Sequence, residues 1–83
     1  MPLFMDIHRN VEGLTPQAVA DAHQKDLEVQ EKHGVRSVGY WYNDKEGKIF
    51  CLFEAPNAEA AKAVHRDSHG LMAQEVVEVT KGT

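Results

Sequence analysis

The 83-residue chain is short of the features that most often reveal a function. It has one cysteine, Cys51, so no intramolecular disulfide can form, and a reducing cytoplasm is the expected location. Three prolines and six glycines exclude collagen-like and low-complexity classes. No apolar run approaches the roughly 18–20 residues that span a bilayer, and no basic–apolar–small leader is seen, so no membrane partner is expected. Nine Lys and Arg against thirteen Asp and Glu give a net charge of −4 without a basic stripe, which argues against a nucleic-acid partner. A glycine-rich phosphate loop, a nucleophile elbow and a CxxC pair are all missing. What is present is an ordinary globular balance, 42% hydrophobic and 27% charged, with five histidines beside the one cysteine. One domain over residues 1–83 is expected, small enough that metals or partner chains often supplement its core.

Leu3 to Arg9 alternates as a strand, with Leu3, Met5 and Ile7 on one face and Phe4, Asp6 and His8 on the other. Thr15 is an N-cap and Pro16 suits the first helical position, which predicts a helix to about His33 with Gly34 as its stop. Val35 to Tyr42 and Lys48 to Ala55 form a hairpin around the turn cluster Asn43–Gly47. Asn57 caps a second helix over Ala58 to about His69, and Glu75 to Thr80 closes the chain as a strand. The β-α-β-β-α-β order predicts an α+β, ferredoxin-like fold. Its four-stranded antiparallel sheet would carry two helices on one face, with strands ordered fourth, first, third, second.

The third strand offers Ile49, Cys51 and Phe53 on one side and Phe50 and Leu52 on the other. In the second, Val38, Tyr40 and Tyr42 stand opposite Gly39 and Trp41. A sheet with one wet face should alternate cleanly, and this one does not. Sheet-to-sheet packing in a homodimer would bury the remainder; a monomer with exposed aromatics is the alternative.

On a helical projection of the first helix, Ala18, Val19, Ala22 and Val29 define the apolar stripe, and Asp26 falls inside it. An aspartate there is costly unless it is paired or binds a cation. His23, three residues earlier, can converge with it, either as a metal ligand or as a simple hydrogen-bond partner. In the second helix His65 and His69 share a face at i,i+4 beside the stripe of Ala60, Ala61 and Val64. The pair can chelate a divalent ion or simply be solvated. Arg66 stands where a zinc protease needs glutamate, so that chemistry is unsupported. With the helices side by side, His23, Asp26, His65 and His69 can face a common groove. Imidazole and carboxylate suit nickel, zinc, cobalt or copper. His8, at the end of the first strand, is expected to need a second site with Asp6, completed across the dimer, or else to be a polar strand end. His33 reads as a helix C-terminal residue, and Cys51 as a buried, inert one.

Met5-Asp6-Ile7-His8, Ala22-His23 with Asp26, Phe50-Cys51-Leu52 running into Glu54-Ala55-Pro56, Val64-His65 and His69-Gly70 together resemble a family of small bacterial ferredoxin-like proteins. That family was long described only as a domain of unknown function and has a nickel-binding actinomycete branch. The resemblance spans nearly the whole chain. It implies a homodimer that binds nickel through His8, His23, Asp26, His65 and His69, with Asp6 and Glu54 as further candidates. A nickel store, buffer or sensor follows, with affinity expected to weaken as pH falls through roughly 6.5. A reading from another class is a dimeric α+β barrel enzyme that oxidises or isomerises a small organic molecule in an apolar sheet cavity. It would use Asp6, His8 or Tyr40 for proton transfer and Trp41 as a wall.

Overall fold

The computed structural model describes residues 1–82. Strand β1 (Leu3–His8) leads to helix α1 (Pro16–Val29), hairpin strands β2 (Arg36–Asn43) and β3 (Lys48–Glu54), helix α2 (Ala58–Ser68) and strand β4 (Glu75–Val79). The antiparallel sheet has the order β2-β3-β1-β4, as the β-α-β-β-α-β pattern predicts. Both expected caps form: the Ala18 amide donates to Thr15 Oγ1 at 3.1 Å, and the Ala60 amide to Asn57 Oδ1 at 2.9 Å. The first helix, however, stops being α-helical at Val29. Gln30–His33 tighten into a 3₁₀ turn, and Gly34 at φ 69° ends it. The Val35 amide then returns to the Gln30 carbonyl, which brings the chain directly onto β2.

A bulge between Ser37 and Gly39 alters the face assignment expected for β2. Beyond it, Tyr40 pairs with Cys51 and Trp41 with Phe50. The extra residue, Val38, therefore lines the open face together with Trp41, Met5 and Leu52, rather than sharing the Tyr40 side. The core lies between sheet and helices and centres on Phe4, Val19, Ile49, Phe53, Ala61 and Val64. Ala18 is exposed, so the buried stripe of α1 runs through Val19 and Asp26 instead. Among these small apolar groups sit four polar residues, Asp6, His8, Asp26 and His65, each no more than 2% exposed. Few domains of this size tolerate that without a specific arrangement, because each isolated buried charge costs several kcal/mol.

Candidate metal centre

The period of two in β1 turns Phe4, Asp6 and His8 toward the helices, and the β1–β3 register sets Asp6 directly opposite Cys51. These residues form the floor of the site. From above, α2 lowers His65 onto them. The sequence places this histidine at the edge of the apolar stripe, but the helix is rotated so that Ala61, Val64 and His65 are its buried centre. Asp26 comes from α1 at the side, and Ser68 and His69 from the last turn of α2.

His65 is the hub. Its Nδ1 lies 3.0 Å from Asp26 Oδ1, and its Nε2 contacts Asp6 Oδ2 on the other side. Asp26 Oδ1 also accepts from Ser68 Oγ at 2.7 Å and lies 3.1 Å from His69 Nε2. The Leu71 amide donates to His69 Nδ1 at 3.0 Å, so the neutral ring carries its proton on Nε2, facing Asp26. The ring of His8 meets that of His65 edge-on at 5.1 Å, with the His69 ring at 5.0 Å. Phe53 closes the apolar side at 5.3 Å.

Burial works against a charge on His65, but hydrogen bonds to Asp26 and Asp6 overcome it and raise its pKa to about 12. Burial likewise opposes ionisation of Asp6 and Asp26. The hydrogen bonds from His65, with His8 beside Asp6 and with His69 and Ser68 beside Asp26, hold both below the ordinary carboxylate range. Burial pushes the Cys51 thiol up to about 11. Two carboxylates thus face one imidazolium in a nearly dry interior. Satisfaction is incomplete, since Asp6 Oδ1 and His8 Nδ1 are buried without a hydrogen-bond partner among the described residues. The nearest approach, His8 Nε2 to Asp6 Oδ1, is 3.5 Å.

In each of two sets, Asp6, His8, Cys51 and His65, and Asp26, His65 and His69, one ligand atom per residue lies within 4.8 Å of the others. A cavity of about 20 Å³ opens beside them, room for one water-sized occupant. Orphaned acceptors beside imidazole, carboxylate and thiol are a donor set suited to a borderline or soft divalent ion.

Of the five histidine and aspartate candidates, His8, Asp26, His65 and His69 gather here within one chain. His8 needs no partner subunit to reach His65, because it points inward to the helices rather than outward. His23 lines the same cavity but joins neither set; its ring lies against Tyr40 at 4.4 Å. Glu54 is on the open side of the sheet, bound to Arg36 at 2.6 Å. His33 bridges to α2 through Asp67 at 2.7 Å. Cys51, expected to be inert, is a potential ligand, and its pairing with Asp6 could be anticipated only from the strand register. The residues named for the enzyme reading are divided, since Asp6, His8 and Tyr40 face the helices while Trp41 lines the apolar groove on the opposite side of the sheet.

Residues 4–79 match the family described as nickel responsive protein SCO4226-like. The chain belongs to that SCO4226-like family. It is similar to the crystal structure of SCO4226 from Streptomyces coelicolor A3(2), with 38% identity, a TM-score of 0.91, and coverage of 98% of this chain and 99% of that one. No curated protein matches the chain. No helix among the described residues is long and apolar enough to cross a membrane.

Proposed function

We propose that this SCO4226-like chain is a cytoplasmic, homodimeric transition-metal-binding protein that stores, buffers or senses nickel, with zinc, cobalt or copper as competing ions. The observation that carries this reading is His65, buried between Asp6 and Asp26, with unpartnered Asp6 Oδ1 and His8 Nδ1 beside it. A cation with open coordination positions satisfies those atoms, and the family name supports nickel as the ion. His8, Asp6, Cys51 and His65 supply one ligand set, and Asp26 and His69 extend it. His23, against Tyr40 at the cavity wall, lies along the approach to those ligands.

The dimer rests on the open face of the sheet. Leu3, Met5, Val38, Trp41, Leu52 and Val79 line an apolar groove of about 620 Å³ there, with Trp41 54% exposed. A second copy would cover such a surface. Calorimetric titration with Ni²⁺ tests the metal reading: tight, saturable binding that His65→Gln abolishes is expected. Affinity weaker than about millimolar, or binding indifferent to that substitution, contradicts it.

A further inference from the structure

The ligands named above are closed in. Asp6, His8, Asp26 and His65 are each no more than 2% exposed, and the cavity beside them, about 20 Å³, is too small for an ion that keeps its water shell. Part of the wall must therefore move before an ion reaches them. The floor is fixed, because β1 and β3 are the inner strands of the sheet and each is paired along both edges. The rest of the wall belongs to the edge strand β2, to the two packed helices and to His69, the C-cap of α2, with one exception. Leu71 lines the cavity from the connection between α2 and β4, outside any helix or strand.

This connection is built as a short flap. Gly70, at φ 78° and with its amide on the His65 carbonyl at 2.8 Å, turns the chain out of α2. Gln74 fastens the other end. Its amide donates to the Ile7 carbonyl at 3.1 Å, and its side chain accepts from the Arg9 amide at 2.7 Å and donates to the Arg9 carbonyl at 3.1 Å. Between these anchors, among the described residues, a single hydrogen bond holds the backbone of Leu71, Met72 and Ala73, from the Leu71 amide to His69 Nδ1 at 3.0 Å. Leu71 and Met72 are 40% and 41% exposed. Opening the flap costs that bond and one half-buried side chain, whereas any other wall opens only by breaking helix or sheet.

A route leads to the same point from outside. A second cavity, of about 80 Å³, adjoins the first, and Val19, Ala22, Ile49 and Leu71 line both. Of these four, only Leu71 is free of regular structure. The second cavity shares Val11, Glu12, Gly13 and Leu14 with a surface depression of about 440 Å³, whose other side is the turn Asp44–Gly47. Glu12 is the one charged side chain lining the second cavity. In the depression Glu12, Asp44 and Glu46 outnumber Lys45, so the outer end of the route is acidic and attracts cations. We propose that the Gly70–Gln74 segment is the gate of the metal centre, swinging about its two ends to lift Leu71 and admit the ion past Glu12 and along the Ala22–His23 turn of α1. This inference rests on the metal-binding reading above and adds the path by which the ion enters and leaves.

Cys51 lines the inner cavity, so its modification reports the gate in the metal-free chain. Labelling by methyl methanethiosulfonate is followed by mass in urea concentrations below the unfolding transition. Labelling through a local opening is nearly flat with urea because little surface is exposed, whereas labelling through global unfolding rises steeply. The gate predicts urea-insensitive labelling, accelerated about tenfold in Leu71→Ala and unchanged in Leu71→Met. Gln74→Ala, which frees the far hinge without touching the cavity, should accelerate it too. Stopped-flow association of Ni²⁺ and its release to excess chelator should quicken by the same factor in Leu71→Ala, leaving Kd unchanged. Steeply urea-dependent labelling of the unmodified chain overturns the gate, as do labelling and Ni²⁺ exchange unmoved by both Leu71→Ala and Gln74→Ala. Exchange quickened by His23→Ala but not by Leu71→Ala moves entry to the His23–Tyr40 wall and also overturns it. Each of those results leaves the metal-binding reading standing. A chain that fails to bind Ni²⁺ while its labelling follows the predicted pattern overturns that reading, and with it the ion's route, but not the opening of the flap.

Discussion

Cys51 stands directly opposite Asp6 across the β1–β3 ladder, so a thiol and a carboxylate share the floor beneath the His65 ring. The pairing gives a lone cysteine a chemical role that its flanking Phe50 and Leu52 conceal. In the metal-free protein the thiol is protonated, since burial holds its pKa at about 11. A bound divalent ion removes that proton. Co²⁺-loaded protein should therefore show a thiolate-to-metal charge-transfer band in the near ultraviolet, and Cys51→Ser should lose it while retaining an imidazole-bound ion. The same band in Cys51→Ser would exclude the thiol as a ligand.

Protons compete with the metal well above neutral pH. His65 holds its extra proton up to about 12 and Cys51 up to about 11, not the 6.5 expected of free imidazole. Nickel affinity should therefore keep rising from pH 6.5 to pH 9, by about tenfold per pH unit for each proton displaced. Calorimetry in buffers of different ionisation enthalpy measures both the slope and the protons released. An affinity that levels off above pH 7 would contradict the assignment.

Metal-free stability should show the opposite trend. His65 has a folded-state pKa raised from 6.5 to about 12, so its contribution is complete below 6.5 and is lost as pH climbs toward 12. Asp6 and Asp26 are depressed below 3.8, so theirs is present above that value and lost on acidification through the folded-state values. In the presence of chelator, Tm should be highest between about pH 4 and 6.5 and decline from 6.5 to 9. A Tm that rises across that alkaline limb would mean His65 is not held as an imidazolium.

Removing the hub leaves two buried carboxylates facing each other. His65→Ala should destabilise the metal-free protein by about 3–5 kcal/mol, the usual cost of stripping one partner from a buried ion pair. Ser68→Ala, which removes one of several hydrogen bonds to Asp26, should cost about 1 kcal/mol. Urea denaturation with chelator present reads both. Near-equal losses would deny His65 its central position.

The open sheet face is separable from the metal centre because the two lie on opposite sides of the sheet. Sedimentation should give the mass of two chains for the unmodified protein and of one chain for Trp41→Glu, with Ni²⁺ binding unchanged. A single-chain mass for the unmodified protein at micromolar concentration would remove the dimer.

Local chemistry made much of this architecture legible in the sequence. Thr15-Pro16 and Asn57 mark their helices because capping is decided within one turn. The strand order follows from the succession of elements. Asp26 stands out because a carboxylate inside an apolar stripe demands a partner. Features set by long-range register were not legible. The Ser37/Gly39 bulge reassigns Val38 to the open face, and the Asp6–Cys51 pairing emerges only when β1 and β3 align. His8 shares a face with Phe4, which marks it as inward-facing, but its approach to His65 depends on where α2 crosses the sheet. His23 lies on the predicted groove, yet Tyr40 on the neighbouring strand takes its ring.

X-ray absorption at the nickel edge tests the central claim most directly, since it reports the atoms bound to the ion. For nickel-loaded protein the account predicts imidazole scattering together with a sulfur neighbour, the sulfur lost in Cys51→Ser and the imidazole signal diminished in His8→Gln. A shell of oxygen neighbours alone, unchanged by either substitution, would place nickel outside the buried centre and contradict it.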